Sequence, residues 1–296
     1  MPPYSAHQSF IAPAVPTAAL WRVIVGFLAA SAIYLLLNNL LFTLVFNVTG
    51  PQDSSFFDDL LSGKTPAAMF LLLGSFALMT LGVTIVARVL HQRSFTSLIG
   101  PLGLAVAQFS AVVRLLVVVS VVIFLLPPWD LGDPLVPNLE LGTWVLLLPF
   151  SLVAVFVQVS AEEIVFRGYV QQQLAARFKT PLVWMVLPSF LFALGHYMPN
   201  ELGENALVIA LWAGVFGMLM ADLTARAGSL GPAIAVHFCN NVAAIVIMSM
   251  PDDLSGLALY LTPFSMADTE AVRAWLPVDF ALMFITWLAA RLAIRR

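Results

Sequence analysis

Charge is the scarcest commodity in this 296-residue sequence: charged residues make up 10% of it and hydrophobic ones 61%. A soluble domain carries about 25% charged and 45–50% apolar residues. The deficit excludes a disordered chain, a nucleic-acid binder and an ordinary cytosolic enzyme. The mean hydropathy of +0.96 points the same way. Cysteine is nearly absent, and Cys239 standing alone permits no internal disulfide. Neither sign of charge dominates, with 13 basic against 16 acidic residues and a net charge of −3. Also missing are internal repeats, low-complexity tracts and any polar stretch large enough for a soluble domain, the longest link being about twenty residues.

What remains is apolar runs, each near the 20 residues a bilayer-spanning helix needs. Eight can be drawn, at roughly 20–46, 67–90, 105–126, 143–161, 181–197, 205–224, 230–250 and 274–294. The links carry turn signals, among them Gly50-Pro51, Pro127-Pro128, Gly132-Asp133-Pro134 and Gly228. The first run exceeds the 7–15 residues of a signal-peptide core and is followed by no small-residue cleavage site, so it reads as a retained helix. The expected fold is all-α: a polytopic membrane protein of about eight transmembrane helices around an intramembrane polar cavity, one integral membrane domain over 1–296. If the helices alternate, Arg22, Arg88, Arg93, Arg167, Arg177, Lys179, Arg226, Arg291, Arg295 and Arg296 fall on one side and only Lys64 and Arg273 on the other. Asp53, Asp58, Asp59, Asp130, Asp133, Glu140, Glu201, Glu204, Asp252, Asp253, Asp268 and Glu270 fall on that other side. The basic side is cytoplasmic by the positive-inside rule, which puts both termini in the cytoplasm.

An ionisable group inside a membrane is a functional hypothesis by default. Several have plain structural readings: Asn38 and Asn39 as interhelical hydrogen-bonding groups, Arg114 as a snorkelling side chain, Asp222 and Arg226 as an i, i+4 ion pair. Three clusters resist such readings. They are Ala161-Glu162-Glu163-Ile164-Val165-Phe166-Arg167, Phe192-Ala193-Leu194-Gly195-His196 and His237-Phe238-Cys239-Asn240-Asn241. His237 and Asn241 lie about 40° apart on a helix and share a face. Glu163 and Arg167 have the spacing of an ion pair, while Glu162 is turned about 100° away and free to face elsewhere. One glutamate thus reads as structural and its neighbour as chemical. If the helix bearing Glu162 runs on to Arg177 and turns at 178–180, Glu162 and His196 stand at equal height, roughly 25 Å above the turn. His237, about 12 Å beyond Gly228, matches that height if the hairpin projects into the cytoplasm, with the polar stretch Gln171-Gln172-Gln173 to Lys179 on the projection.

Together, the EExxxR string (Glu162, Glu163, Arg167), the FxxxH string (Phe192, His196) and the HxxxN string (His237, Asn241) resemble the CPBP intramembrane proteases. That family includes the CAAX prenyl endopeptidases of the Rce1 type and the Abi proteins. The resemblance covers roughly 143–250, the motif-bearing core helices. It implies an endopeptidase acting on a membrane-associated peptide or protein, lipidated in some relatives, and no nucleic acid. Without a covalent intermediate, peptide hydrolysis needs an activated water and donors for the oxyanion. Glu162 with His196 suits the first task, and His237 with Asn241 the second. Glu162, His196 and His237 are also a possible ligand set for a divalent metal such as zinc, although no HExxH string is present. Covalent catalysis fails, because Cys239 lies about 200° around the helix from His237 and no GxSxG string occurs. A scaffold or immunity-type protein and a proton-coupled transporter are the competing readings, the latter weakened by the missing repeat.

Overall fold

A computed structural model describes residues 4–49, 59–126, 134–251 and 254–295. Asp53, Asp58, Asp130, Asp133, Asp252, Asp253, Arg296 and the turns at 50–51, 127–128 and 132–133 lie outside these residues.

The described chain is nearly all helix. A short α1 (Ser5–Ile11) continues as a 3-10 turn, Ala12–Thr17. Then come α2 (Leu20–Thr49), α3 (Pro66–His91), α4 (Leu102–Leu125), α5 (Leu141–Arg177), α6 (Leu182–Gly195), α7 (Pro199–Ala227), α8 (Gly231–Ile247) and α9 (Thr269–Ala293). Every apolar run of the sequence forms one of α2–α9. Six are long and apolar enough to cross a membrane: α2, α3, α4, α5, α7 and α9. α6 and α8 correspond to the fifth and seventh runs and belong to a shorter class of 10–17 residues. At 1.5 Å per residue they reach at most about 25 Å, short of the roughly 30 Å hydrocarbon core. An expectation of eight full spans is therefore met by six, and the two short helices are the one that ends at His196 and the one carrying His237.

Helix ends follow local chemistry. Thr65 caps α3 through Ala68 N, with Pro66 at its first position. The Glu140 carboxylate caps α5 by accepting from the Gly142 and Thr143 amides, both at 3.2 Å, which holds its pKa below the usual carboxylate value. Asp268 caps α9 at Ala271 N. α7 stops at Gly228, whose φ of 71° a side chain would strain. Immediately beyond, Gly231 lets α8 lie against α4: a Cβ there would stand 2.2 Å from Ala105 O.

α2 packs on α3, α3 on α5, α4 on α8, and α6 on α7. The resulting cores meet around α5 and α8. A small sheet of Val136–Pro137, Tyr260–Leu261 and Met248–Ser249, in that order, closes the end where α8 finishes and α5 begins. The Trp144 indole donates to Val246 O across that junction at 2.8 Å.

Two features depart from expectation. α5 does run unbroken to Arg177 before Phe178 turns extended, but it widens to π winding over Ile164–Gln171 directly after Glu163. And Gln171, Gln172 and Gln173 are not on a solvated projection. All three are fully buried, because the N-terminal segment, the connection after α3 and α7 close over them. The Gln171 and Gln172 amides serve backbone carbonyls, and the Gln173 amide the His91 ring.

Candidate active site

α5 enters the site with a buried polar row on an otherwise apolar helix: Gln158, Glu162, Glu163 and Arg167. Their i, i+4 spacing brings them together in pairs. Arg167 Nη1 donates to Glu163 Oε1 at 3.0 Å with both side chains fully buried, as the spacing suggests. Its Nη2 donates to Gly217 O at 3.2 Å, and its guanidinium stands over the Phe192 ring at 4.9 Å. Gln158 Nε2 donates to Glu162 Oε1 at 2.6 Å. Gln158 is absent from the sequence reading, although a lone amide one turn before a glutamate pair is a visible signal.

α8 brings His237 against both glutamates. Its Nδ1 lies 2.8 Å from Glu163 Oε1 and its Nε2 3.5 Å from Glu162 Oε2. A carboxylate accepts, so Nδ1 donates to Glu163, while Nε2 stands at ion-pair distance from Glu162, accepting from water when the ring is neutral and donating when it is protonated. Phe216 and Phe192 stand edge-on to the ring, at 5.0 and 6.1 Å between centroids, and fix its plane. Glu162 Oε2 is buried and has no hydrogen-bond partner among the described residues. Glu162 Oε2 and His237 Nε2 therefore face each other in direct contact range, so a water bonded to both lies beside the pair rather than between them. The pair expected from spacing, Glu163 and Arg167, does more than stabilise α5: it orients His237.

Asn241 follows one turn after His237, where α8 passes into π winding over Val242–Ile247. Its Nδ2 donates to Gln158 Oε1 at 2.8 Å, and its Oδ1 accepts from Asn240 Nδ2 at 3.3 Å. Both glutamates and Asn241 thus sit at the onset of a π segment, a winding concentrated at functional sites.

His196 caps the C-terminus of α6. Its Nδ1 donates to Phe192 O at 2.9 Å, so its Nε2 also presents a lone pair. Its ring lies on Phe192 with centroids 4.4 Å apart, and Phe192 in turn faces His237. Among the described residues no hydrogen bond or ion pair joins His196 to Glu162, and His237 holds the place beside that carboxylate. No three His, Cys, Asp or Glu side chains among them are grouped as metal ligands. The set Glu162, His196, His237 does not fit zinc as arranged here, since a catalytic zinc takes three protein ligands at about 2.0–2.2 Å.

Residues 143–243 match the family model described as type II CAAX prenyl endopeptidase, Rce1-like. This segment is Rce1-like. It contains every one of Gln158, Glu162, Glu163, Arg167, Phe192, His196, His237 and Asn241. Beyond it, the chain is 25% identical over 260 residues to the uncharacterized protein YyaK of Bacillus subtilis (strain 168), a match covering 84% of this chain and 85% of that protein. No solved structure matches. An Rce1-like segment on helices of membrane-spanning length indicates an intramembrane protease of CAAX type, with a peptide substrate.

Proposed function

We propose that this chain is an integral-membrane endopeptidase that hydrolyses a peptide bond with water activated by Glu162, within an intramembrane unit whose chemistry is carried by 143–250. The observation that carries the reading is the facing pair of Glu162 Oε2 and His237 Nε2, backed by Glu163 and Arg167. Water held by this pair attacks the scissile carbonyl, and Glu162 takes its proton. The tetrahedral oxyanion receives the second amide hydrogen of Asn241 and, when His237 carries a proton on Nε2, that N–H as well. Glu163 behind Nδ1 holds the ring in orientation, as a buried carboxylate does behind a catalytic histidine. His196 offers its Nε2 lone pair as a second acceptor for the water. The oxyanion collapses, the C–N bond breaks, and the proton held by Glu162 goes to the leaving amine. Both termini lie in the cytoplasm and the site opens toward that side, in keeping with the sorting of basic links.

The test uses the full chain in detergent, with a quenched fluorescent peptide ending in a prenylated CAAX sequence and its unprenylated twin as probes. Wild type is expected to cleave at least one, and Glu162→Gln to cleave neither while keeping its melting temperature. Equal cleavage by Glu162→Gln would refute the reading. A reporter fused at the C-terminus should report cytoplasm, and a signal from the opposite side would overturn the orientation.

A further inference from the structure

The polarity of the hydrogen bonds reaching Glu162 is fully determined, because the chain ends on a carboxylate that only accepts. Gln158 must therefore turn its Nε2 to Glu162 Oε1 at 2.6 Å and its Oε1 outward. That oxygen requires a donor, so Asn241 must present Nδ2, found at 2.8 Å. Asn241 then exposes Oδ1, which accepts from Asn240 Nδ2. Three amides run head to tail from α8 to one oxygen of a carboxylate on α5. The other oxygen, Oε2, is the one left without a partner and turned toward His237 Nε2.

We infer that Gln158 is a positioning residue which locks the Glu162 carboxylate with Oε2 toward His237, and that Asn241 acts on Glu162 through it. Neither the motif strings nor the family match singles out Gln158. A carboxylate on a two-bond tether rotates freely unless one oxygen is held, and the short contact to Oε1 is the one hydrogen bond to Glu162 among the described residues. The bond ties the carboxylate to a fixed turn of its own helix. The link to Asn241 registers that turn against α8, and with it against His237. Buried amide chains of this kind strengthen cooperatively when every member is satisfied. In catalysis the benefit is orientation, where misplacement by about 1 Å costs up to about 10²-fold.

The inference about catalysis rests on the proteolytic reading, so it is tested by one readout that needs no turnover and one that does. Isotope-edited infrared spectra, with Glu162→Gln subtracted to isolate the band, report the Glu162 carboxylate stretch. Gln158→Met, which keeps length and removes both polar groups, should shift that band, and Asn241→Ala should shift it in the same direction. An unmoved band in either variant overturns the relay, whatever the protease does. In cleavage assays Gln158→Met should lower kcat by about 10–10²-fold with KM near wild type. Asn241→Ala should then cost less in the Gln158→Met background than in wild type, by about the factor that Gln158→Met costs alone. Effects that simply multiply would overturn the coupling. Should Gln158→Met not fold, Gln158→Asn, one methylene too short to reach both partners, carries the same expectations. If wild type cleaves nothing, the proteolytic reading fails and the infrared result alone decides the relay.

Discussion

α5 passes through two buried polar clusters, both reaching into its π segment Ile164–Gln171, and they are built on opposite principles. The upper one holds Glu162, Glu163, Arg167 and His237: of two adjacent carboxylates only Glu163 pairs with the guanidinium, and His237 stands against both. The lower one holds Gln171, Gln172 and Gln173 with His91, Arg93 and Tyr169. Two of its amides donate to backbone carbonyls: Gln172 Nε2 to Ser97 O and Leu98 O in the connection after α3, and Gln171 Nε2 to Ala221 O within α7. Arg93 is its one charge, and donates to Gln172 Oε1 and Ser97 O. His91 closes the set between Gln173 and the Tyr169 hydroxyl, at 3.0 and 2.8 Å. Burial of polar groups is common to both and so marks neither as functional. The difference lies in charge. The lower cluster gathers neutral amides and carbonyls around one guanidinium, with Gln171 Oε1, Gln173 Oε1 and Arg93 Nη1 buried without a hydrogen-bond partner among the described residues, whereas the upper crowds two adjacent carboxylates together and leaves Glu162 Oε2 unbonded beside His237.

The sharpest way to break this contrast is to remove one hydrogen-bonding group from each cluster. Glu162→Gln should lower cleavage by about 10²–10⁴-fold with little change in melting temperature. Gln172→Leu should leave kcat of the folded fraction within a factor of about three, because it touches only the connection after α3. Comparable losses of kcat in both would erase the distinction. Arg167→Met sharpens it further. Glu163 would become an uncompensated buried charge, which costs about 3–5 kcal/mol, and the protein should accumulate poorly. Adding Glu163→Gln should restore accumulation but not cleavage, since His237 would then lack the carboxylate behind Nδ1. If the double variant cleaved at the wild-type rate, Glu163 would have no part in orienting His237.

The two clusters were also unequally legible. Spacing alone announced the Glu163–Arg167 pair and the Asp222–Arg226 pair, because i, i+4 geometry is local, and both pairs form. Hydrophobic length announced every apolar helix. It overstated α6 and α8, whose ends are set by His196 and by the sheet at Met248–Ser249 rather than by apolar composition. The triple glutamine looked like a solvated projection because composition carries no information about what folds over it. The cover comes from the N-terminal segment and from 92–101, far away in sequence. For the same reason nothing local pointed to Asp222 as a hub, accepting from Tyr4 at 2.8 Å and Trp287 at 3.1 Å besides Arg226. Asn38 shows the converse. Read as interhelical glue, its Oδ1 is buried without a hydrogen-bond partner among the described residues. π winding has no periodic signature in these runs, so the widening of α5 after Glu163 was invisible as well.

Gln172→Leu has a stability side of intermediate size. Ser97 O and Leu98 O would lose the Gln172 amide, and Arg93 would lose its acceptor on that side chain. Leaving such groups buried costs about 1–3 kcal/mol. Thermal unfolding in detergent should show the loss, and an unchanged melting temperature would mean that the lower cluster does not fasten the connection after α3.

The smallest effect concerns how that covering is held from the other side, by α1. His7 is buried there against Trp184, with ring centroids 4.6 Å apart, and its Nε2 has no hydrogen-bond partner among the described residues. Burial lowers its pKa from the ordinary 6.5 to about 4. Above pH 6.5 the ring is neutral whether α1 is docked or released, and docking is unaffected. Between 6.5 and about 4 only the released segment takes up the proton, so docking weakens by at most about 1.4 kcal/mol per pH unit. Below about 4 the docked ring is protonated too and the loss levels off. Limited proteolysis within residues 4–17, followed from pH 7.5 to 5.5, should therefore speed up toward acid in wild type. His7→Phe, which keeps the ring contact with Trp184 and cannot titrate, should give a flat profile. The same acceleration in His7→Phe would assign the pH dependence to another group.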